Sequence, residues 1–319
     1  MTTVSATEEL PKRPFGATGL LVHPICIGCA PLADMPRAFA YSVSEEDALT
    51  FIRAALGGPI NSLDTAASYG DGEGERRIGI VLRERGGLPP GFVLATKADR
   101  DLNTGEFSGA QMRRSVERSL RLLGLDRLQI CYLHDAEHTT YENIMSKSGP
   151  LEALLKMKDE GLIEHLGVAG GPTDQEIRYV ETGAFEAVIT HNRYNLLNRD
   201  ALPLLDVAAR RGVAVVNAAP YGSGMLAKGP DAYPRFMYRD APPELVERAR
   251  RLQSICARYG VPLAAAALQF SLREPRITST IVGMTKPERL AQTIALARHP
   301  IPDDLWTAIE PLLPPPADV

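Results

Sequence analysis

The sequence contains little of what marks several large classes of protein. Its four cysteines among 319 residues are too few for a disulfide framework in a chain of this length. It has no uncharged apolar run of the roughly 20 residues that a membrane-spanning helix requires. Residues 1–14 lack the apolar stretch of a signal peptide. The formal net charge is −4 and no long basic run occurs, so nucleic-acid binding has no compositional support. We therefore expect a cytoplasmic protein whose partners include neither a membrane nor a nucleic acid.

Two of the cysteines, Cys26 and Cys29, form a C-x-x-C pattern. A redox motif of this kind would precede a helix, and a zinc site would need a second cysteine pair. Here the pattern lies in an apolar run that is typical of a strand, while Cys131 and Cys256 stand alone. We therefore expect four ordinary buried thiols. We also expect no metal site, because the sequence shows no clustered pattern of histidines and carboxylates.

Short apolar runs alternate with amphipathic stretches along the whole chain. This alternation predicts parallel strands joined by helical crossovers. The predicted strands are residues 24–28, 60–64, 92–97, 128–134, 164–169, 187–190, 213–217 and 277–282. No G-x-G-x-x-G follows the first strand, which argues against a dinucleotide-binding doubly wound sheet. We predict an α/β protein, a single-domain (β/α)8 TIM barrel over residues 1–319, with residues 1–14 as a flexible extension.

Several predicted helices begin or end at recognisable signals. Ser108, with Gln111 three residues later, predicts a capping box, and Gly124 predicts the end of the same helix. Thr173 and Thr285 are predicted to cap two later helices. The predicted helices are 45–56, 74–85, 108–123, 151–160, one from 173 onward, 201–211, 243–259, 262–273, 285–298 and 302–313. Residues 135–148 and 218–241 are predicted to be loops.

Four polar residues lie at or just beyond the ends of successive predicted strands. Asp64, Lys97 and His134 close three of these strands, and Tyr69 follows Asp64 by five residues. The C-terminal strand ends of a parallel barrel converge on one face, where such barrels keep their chemistry. Each of the four alone is more often structural, so the prediction depends on all of them occurring together in this order.

Together these four side chains could move a proton on or off an oxygen atom. A free phenol has a pKa near ~10, and an ammonium group beside Tyr69 would lower that pKa. Asp64 would keep a buried Lys97 protonated, and His134 could hydrogen-bond a substrate oxygen. The accompanying hydride would come from or go to a nicotinamide, because no side chain can supply one.

The order, spacing and flanking residues of this set resemble the catalytic tetrad of the aldo-keto reductases. The resemblance covers nearly the whole chain and is carried by residues 16–20, 27–28, 64–70, 95–97, 132–135, 212–226 and 279–289. It implies that Tyr69 is the general acid–base and that Lys97 tunes it. It further implies that Asp64 holds Lys97, and that His134 positions the carbonyl or hydroxyl of the substrate.

The resemblance also implies a nicotinamide cofactor held by loops that follow the later strands. The implied cofactor-binding residues are His191, Asn192, Asn217, Pro220, Gly222, Gly224, Gly283, Thr285 and Arg289. Many members hold the carboxamide with Ser-Asn and Gln, where this chain has Ala169, Gly170 and His191, so His191, Asn192 or backbone groups would substitute. Ala218 replaces an aromatic residue that often stacks on the nicotinamide, and a loop residue such as Tyr221 would cover the ring instead.

The choice between NAD and NADP depends on the last strand and the helix after it. Thr285 at a helix N-cap would offer free N–H groups and a positive dipole end to a phosphate. Arg289 would contact a 2′-phosphate or stack on the adenine. Many members that prefer NADP have Lys-Ser where this chain has Gly283 and Met284, so the resemblance favours NAD. The loop 222–239 is long enough to fold over a ligand, with residues 235–238 as candidate lining residues or as a plain packed loop.

Residues 132–135, 216–220 and 279–284 resemble one branch of the family. That branch contains the aldose 1-dehydrogenases acting on L-fucose and L-galactose, and the pyridoxal 4-dehydrogenases. Its members oxidise a cyclic hemiacetal to a lactone, which implies an NAD(P)-dependent dehydrogenase of a small sugar or aldehyde. The alternatives are an NADPH-dependent aldehyde or ketone reductase, a cofactor-sensing subunit of an ion channel, and an unrelated barrel enzyme. A monomer and a homodimer are equally compatible with the sequence.

Overall fold

The computed structural model describes residues 10–315, and its centre is a closed barrel of eight parallel strands. The strands are β1 (Ile25–Gly28), β2 (Ser62–Asp64), β3 (Val93–Ala98), β4 (Leu128–His134), β5 (Ile163–Ala169), β6 (Ala187–His191), β7 (Ala214–Ala218) and β8 (Ile277–Gly283). Strands pair in chain order, and β8 closes the barrel by pairing with both β7 and β1. This confirms the predicted (β/α)8 barrel and all eight predicted strands.

Helices surround the barrel and connect successive strands. The longer helices are α1 (Glu45–Leu56), α2 (Glu73–Arg85), α3 (Gly109–Leu123), α4 (Pro150–Asp159), α5 (Thr173–Glu181), α6 (Leu202–Arg211), α7 (Pro243–Arg258), α8 (Leu263–Leu272), α9 (Glu288–Arg298) and α10 (Asp303–Ile309). The predicted loops contain further short elements, which are the helices Tyr141–Met145 and Met225–Lys228 and a hairpin of Arg235–Phe236 with Arg239–Asp240. Short helices of this kind carry too few residues to show a periodic pattern.

The predicted helix caps are confirmed in one case and wrong in two. Ser108 Oγ accepts from the backbone N–H of Gln111 at 3.1 Å, and α3 ends at Gly124 in a left-handed conformation. The Gln111 side chain donates to a carbonyl elsewhere, so the return half of the predicted capping box does not form. Thr173 is the first residue of α5, and Thr285 lies three residues before α9. Proline directly precedes each of these helices, and its fixed φ sets the helix start after it.

Alternate residues of each strand face the interior of the barrel. Ala95, Tyr132, Ile189 and Val216 belong to this inner core, whereas their neighbours in the strands pack outward against the helices. Gly167 on β5 also faces inward, because a Cβ at this position would collide with the ring of Tyr132. The period of two residues therefore decides which strand-end side chains can reach the open mouth of the barrel.

A short hairpin closes the opposite end of the barrel. Arg13–Pro14 pairs with Leu21–Val22 in an antiparallel ladder, and Phe15 packs into the inner core. The guanidinium of Arg13 donates to the carbonyl oxygens of Ile277 and Leu272, each at 2.7 Å. The predicted flexible extension of residues 1–14 is therefore wrong at Arg13 and Pro14, and residues 1–9 lie outside the described residues.

Two predictions from composition can be compared with the fold. All four cysteines are buried and free, which confirms that they are ordinary thiols. Within residues 10–315, no single helix is both long and apolar enough to cross a membrane. The helices α7 and α8, bent by 98° at their junction, reach that length and apolarity only when taken together.

Candidate active site

The amine of Lys97 is the centre of a hydrogen-bonded group at the C-terminal mouth of the barrel. Its Nζ donates to Asp64 Oδ1 at 2.6 Å, to the carbonyl oxygen of Thr65 at 2.7 Å and to the Tyr69 hydroxyl at 3.0 Å. Lys97 is only 3% exposed. Three acceptors, one of them the Asp64 carboxylate, satisfy all three of its protons, so the ammonium is held in one orientation beside the phenol.

The turn after β2 places Tyr69 over the strand ends. Ala67 continues the sheet beyond the strand by donating its N–H to the carbonyl oxygen of Lys97 at 3.2 Å. Gly70 then has φ +59°, and a Cβ there would lie against the carbonyl oxygen of Ala33. Only glycine satisfies both the left-handed conformation and this close approach. The chain therefore reverses directly after Tyr69 and holds its ring at the mouth.

The charges in this group follow from burial and from the ion pair. Burial lowers the pKa of Lys97, but the adjacent Asp64 and Tyr69 raise it by more, so the net direction is upward. Burial raises the pKa of Asp64, and Lys97 opposes that rise. Burial also raises the pKa of Tyr69 above its ordinary value, although Lys97 pulls it down. Lys97 thus lowers the phenol pKa as predicted, but desolvation of the ring, which the sequence did not show, outweighs the ammonium charge.

His134 joins the group from β4 and is held by a residue that the sequence analysis did not identify. The rings of His134 and Tyr69 meet edge to face with centroids 6.0 Å apart. Asp99 Oδ1 lies 2.7 Å from His134 Nδ1, and Ser68 Oγ lies 3.4 Å from the same nitrogen. Asp99 follows Lys97 by two residues and so faces the same side of the chain, a signal that strand periodicity could have provided.

The predicted carboxamide-binding residues lie beside this group, at the end of β6. His191 Nε2 lies 3.0 Å from the Tyr238 hydroxyl, and the two rings are stacked with centroids 5.6 Å apart. Asn192 contacts the His191 ring through Nδ2 and accepts from Ser223 Oγ at 3.1 Å through Oδ1. Burial lowers the pKa of His191 to about 4, so this imidazole is neutral at pH 7. Tyr238 belongs to the loop whose lining role the sequence left open, and its charge is close enough to affect Tyr69.

One predicted cofactor residue is turned away from the mouth. Asn217 is fully buried, and its Nδ2 donates to the carbonyl oxygen of Tyr194 and to Ser271 Oγ, each at 2.8 Å. It lies on the outward phase of β7, between the inward residues Val216 and Ala218. The side chain of Asn217 therefore supports the barrel wall beneath the site and presents no group that a cofactor could reach.

The remaining predicted cofactor residues lie around the loops after β7 and β8. Pro220 is buried, and Gly222 and Gly224 have positive φ values of 56° and 118°. Gly283 is exposed at the end of β8, and Thr285 is half-buried without capping α9. Arg289 is exposed on the first turn of α9. These residues line one continuous rim, although Thr285 cannot supply the predicted cap.

This rim has features that suit an elongated anionic ligand. The glycine turn Gly222–Gly224 packs closely under the rings of Phe236 and Tyr233, so these aromatic residues cover the turn and Ser223 is its one side chain. Lys228 lies 4.1 Å above the Tyr233 ring and 5.9 Å from the Tyr41 ring. Burial raises the pKa of Tyr41, and the charge of Arg289 opposes that rise, which places a second cation on the same side. Two cations and a neutral imidazole fit a dinucleotide with its diphosphate on the rim and its nicotinamide at the mouth.

Three potential metal-ligating groups occur at the mouth within the described part of the chain. The ligand atoms of Asp99, His134 and Asp135 lie within 4.8 Å of one another. The short hydrogen bond between Asp99 and His134 accounts for this grouping, and we assign no metal ligands here.

Comparisons with known proteins agree with this geometry. Residues 24–313 match the Aldo/keto reductase family. The pyridoxal 4-dehydrogenase of Microbacterium luteolum is 31% identical, with 93% of this chain and 96% of that protein covered. The D-threo-aldose 1-dehydrogenase of a Pseudomonas species is 30% identical, with 92% and 94% covered. In fold, the chain is similar to an aldo-keto reductase from Bacillus halodurans in its holo form, with a TM-score of 0.78, 22% identity, and 96% and 97% of the two chains covered. The family match over nearly the whole barrel, and relatives at this level of identity, show that the chain belongs to the aldo/keto reductase family.

Proposed function

We propose that this NAD(P)-dependent oxidoreductase oxidises a cyclic hemiacetal to a lactone, its substrate being an aldose of the L-fucose or L-galactose type or pyridoxal. One observation carries the proposal. A single ammonium group, Lys97 Nζ, donates both to the buried carboxylate of Asp64 and to the hydroxyl of Tyr69 at the open mouth of the barrel. This unit can accept a proton from a substrate hydroxyl and stabilise the charge that results.

In the proposed oxidation the substrate hydroxyl lies against Tyr69 and His134. A bound nicotinamide would supply the acceptor for the hydride of the carbon that carries this hydroxyl. Tyr69 accepts the hydroxyl proton, and Lys97 stabilises the phenolate that receives it. Asp64 keeps Lys97 charged and oriented, while His134 donates a hydrogen bond to the substrate oxygen. The hydride and the proton thus leave from carbon and oxygen respectively, and a carbonyl remains.

We assign the cofactor to the rim and favour NAD. His191 and Asn192 would hold the carboxamide, since Ala169 and Gly170 have no side-chain donor. Backbone groups of the turn after β7, from Pro220 to Gly224, would contact the diphosphate. Gly283 is exposed where a basic clamp for a 2′-phosphate would stand, and Arg289 remains to stack on the adenine. The basic clamp for a 2′-phosphate is then incomplete, which supports NAD over NADP.

The relatives support the choice of substrate class. Pyridoxal 4-dehydrogenase and D-threo-aldose 1-dehydrogenase are the names of two proteins that align over more than nine-tenths of this chain. Pyridoxal and aldoses both exist as cyclic hemiacetals, so one catalytic arrangement serves both. Their common product is a lactone.

A second candidate function, the NADPH-dependent reduction of an aldehyde or ketone, has one specific observation in its favour. Burial raises the pKa of the Tyr69 phenol, so without a ligand Tyr69 holds the proton that a reductase donates to a carbonyl oxygen. Binding of an oxidised nicotinamide would place a positive charge near the phenol and lower its pKa again. The two functions therefore differ in which cofactor form binds productively.

The test is a steady-state assay that follows the absorbance of the reduced nicotinamide. The purified protein is given NAD⁺ or NADP⁺ with L-fucose, L-galactose, D-arabinose, pyridoxal and simple alcohols in turn. Tyr69→Phe removes the hydroxyl and is expected to lower kcat by ~100-fold or more. Tyr259→Phe, at an exposed position 39% accessible to solvent, is the matched control and should keep full activity.

The dehydrogenase would be supported if the wild type formed reduced cofactor with a hemiacetal substrate and Tyr69→Phe did not. Lactone detected as the product would identify the reaction. Oxidation of NADPH by aldehydes, together with silence across the hemiacetal panel, would contradict the proposal and favour the reductase.

A further inference from the structure

We propose that Asp99 is a positioning residue of this active site, which keeps both ring nitrogens of His134 protonated so that Nε2–H donates to the substrate oxygen. The inference rests on the proposed function, because the role of His134 toward a substrate oxygen belongs to it. Asp99 itself would touch neither the substrate nor the cofactor.

Both oxygens of the Asp99 carboxylate have a partner. Oδ1 lies 2.7 Å from His134 Nδ1, and Oδ2 accepts the backbone N–H of Ser68 at 2.8 Å. The backbone of Asp99 is held as well, since its N–H donates to Ser115 Oγ at 3.0 Å and its carbonyl oxygen accepts from Gln111 Nε2 at 3.0 Å. Asp99 is only 3% exposed. A carboxylate held in this way cannot turn aside, so it dictates the orientation of the ring that it contacts.

The geometry calls for a proton on each nitrogen of His134. A carboxylate only accepts, so the contact with Asp99 requires a hydrogen on Nδ1. The nearest charged oxygen to the other nitrogen is Asp135 Oδ1, 3.4 Å from Nε2, and it favours a hydrogen there as well. A neutral imidazole can protonate only one of the two nitrogens. The doubly protonated ring donates from Nδ1 to Asp99, and its Nε2–H, which forms no hydrogen bond within residues 10–315, is left for the substrate oxygen.

Asp99 offsets the burial and the nearby positive charge that disfavour a protonated His134. The titratable or charged groups that face His134 from the surrounding elements are Asp64, Tyr69, Lys97, Asp99, Asp135, Glu137 and His191. Burial and the charge of Lys97 lower the pKa of His134, whereas Asp99, and then Asp135, raise it, and the net direction is upward. Asp135 is the weaker influence because it is about one-third exposed and lies 4.0 Å from the Arg100 guanidinium.

Charge on His134 would assist the proposed reaction. As the substrate hydroxyl loses its proton, its oxygen becomes more negative, and an imidazolium N–H stabilises that oxygen better than a neutral donor does. The carboxylate of Asp99 balances the imidazolium in a site that already contains the ammonium of Lys97. Without Asp99, burial and the ammonium of Lys97 would be opposed by Asp135 alone, so the His134 pKa would fall.

The first experiment measures the protonation of His134 directly and does not depend on turnover. The ring protons and nitrogens of the histidines are titrated by NMR, and His134→Gln identifies the His134 signals among the six histidines. Asp99→Asn keeps the size of the side chain and removes its charge. We expect the titration midpoint of His134 to fall by about one pH unit or more in this variant. Asp135→Asn is the matched control, with a smaller expected shift.

The second experiment follows kcat/KM with pH. Because the reaction uses the protonated ring, activity is expected to fall as the pH rises through the His134 pKa, and Asp99→Asn should move this limb to lower pH. At pH values above this limb, kcat of Asp99→Asn should be about tenfold or more lower than that of the wild type, with a smaller change in KM. Circular dichroism of each variant, and the rescue variant Asp99→Glu, separate a loss of charge from a loss of fold.

The outcomes separate this inference from the proposed function. An unchanged His134 midpoint in Asp99→Asn, or a wild-type ring that is neutral at pH 7, would overturn the role of Asp99 whatever the activity. A lowered midpoint in a protein that oxidises no hemiacetal would leave the Asp99–His134 pair standing and remove the proposed substrate class. A reduced rate with the same pH profile would make Asp99 a structural residue only.

Discussion

Replacement of Glu75 by glutamine is expected to stabilise the protein in alkaline solution and to leave its stability in acid almost unchanged. Glu75 is fully buried on α2 and accepts from Thr96 Oγ1 at 2.6 Å. Its second oxygen, Oε2, and the hydroxyl of Ser119 form no hydrogen bond of ordinary geometry within residues 10–315, although the hydroxyl is near enough to favour the charged carboxylate. A neutral carboxylic acid can donate to Ser119, whereas a carboxylate cannot. Glutamine keeps the acceptor for Thr96 and supplies an N–H for Ser119.

The pKa of Glu75 sets the size of the effect. Burial raises this pKa from 4.5 to about 7, against smaller opposing contributions from Thr96 and Ser119. The folded state thus binds the proton more tightly than the unfolded state. The proton on Glu75 stabilises the folded state fully below pH 4.5, and this stabilisation is lost as the pH rises through 7. At ~1.4 kcal/mol per pH unit, the difference between the two values is worth about 3 kcal/mol. Glu75→Gln should recover up to this amount above pH 7.

Urea unfolding, followed by circular dichroism at about pH 5 and about pH 8.5, tests this expectation. Glu84→Gln on the same helix is the control, because Glu84 forms an exposed ion pair with Arg53 that is worth little in solvent. The reasoning would be refuted if Glu75→Gln changed stability equally at both pH values, or if it destabilised the protein at the higher one. Either result would mean that Glu75 is ionised in the folded state with partners that compensate its charge.

Three further substitutions test the site. Lys97→Met should destabilise the protein by ~3 kcal/mol near pH 7 in urea unfolding, because it leaves Asp64 buried without its cation; an unchanged midpoint would show that Asp64 is neutral. Gly70→Ala should cost more in thermal unfolding than Gly212→Ala, because both positions have positive φ but only Gly70 lacks room for a Cβ; equal losses would contradict the steric argument. Tyr238→Ala should weaken nicotinamide binding by ~10-fold, and Tyr238→Phe, which keeps the stacked ring, by less; ligand titration by protein fluorescence measures both.

Local patterns explain why the sequence predicted so much of the fold. The period of a strand, the period of a helix and the Ser108 N-cap each depend on residues a few positions apart, and the eight strands and this N-cap were predicted correctly. Asp64, Lys97 and His134 reach the mouth because each lies on the inward phase of its strand. The same rule applied to β7 would have excluded Asn217, since Val216 and Ala218 face inward. Asn217 was assigned to the cofactor site by resemblance alone. A match to a family pattern does not show whether a strand residue faces the interior of the barrel or the surrounding helices.

The protonation of Tyr69 depends on the burial of its ring, which no sequence motif encodes. The sequence shows that an ammonium stands near a phenol, and from that alone a lowered pKa follows. The structure adds the burial of the ring at the mouth, which reverses the direction. Asp99 has a comparable effect on His134, since a buried carboxylate offsets both burial and Lys97. The four tetrad residues are thus compatible with proton transfer in either direction, and their surroundings set the protonation from which each begins. For this reason the Asp99→Asn pH profile should be measured with both hemiacetal oxidation and aldehyde reduction: the two directions share one transition state, so a charged His134 that stabilises the substrate oxygen should affect both.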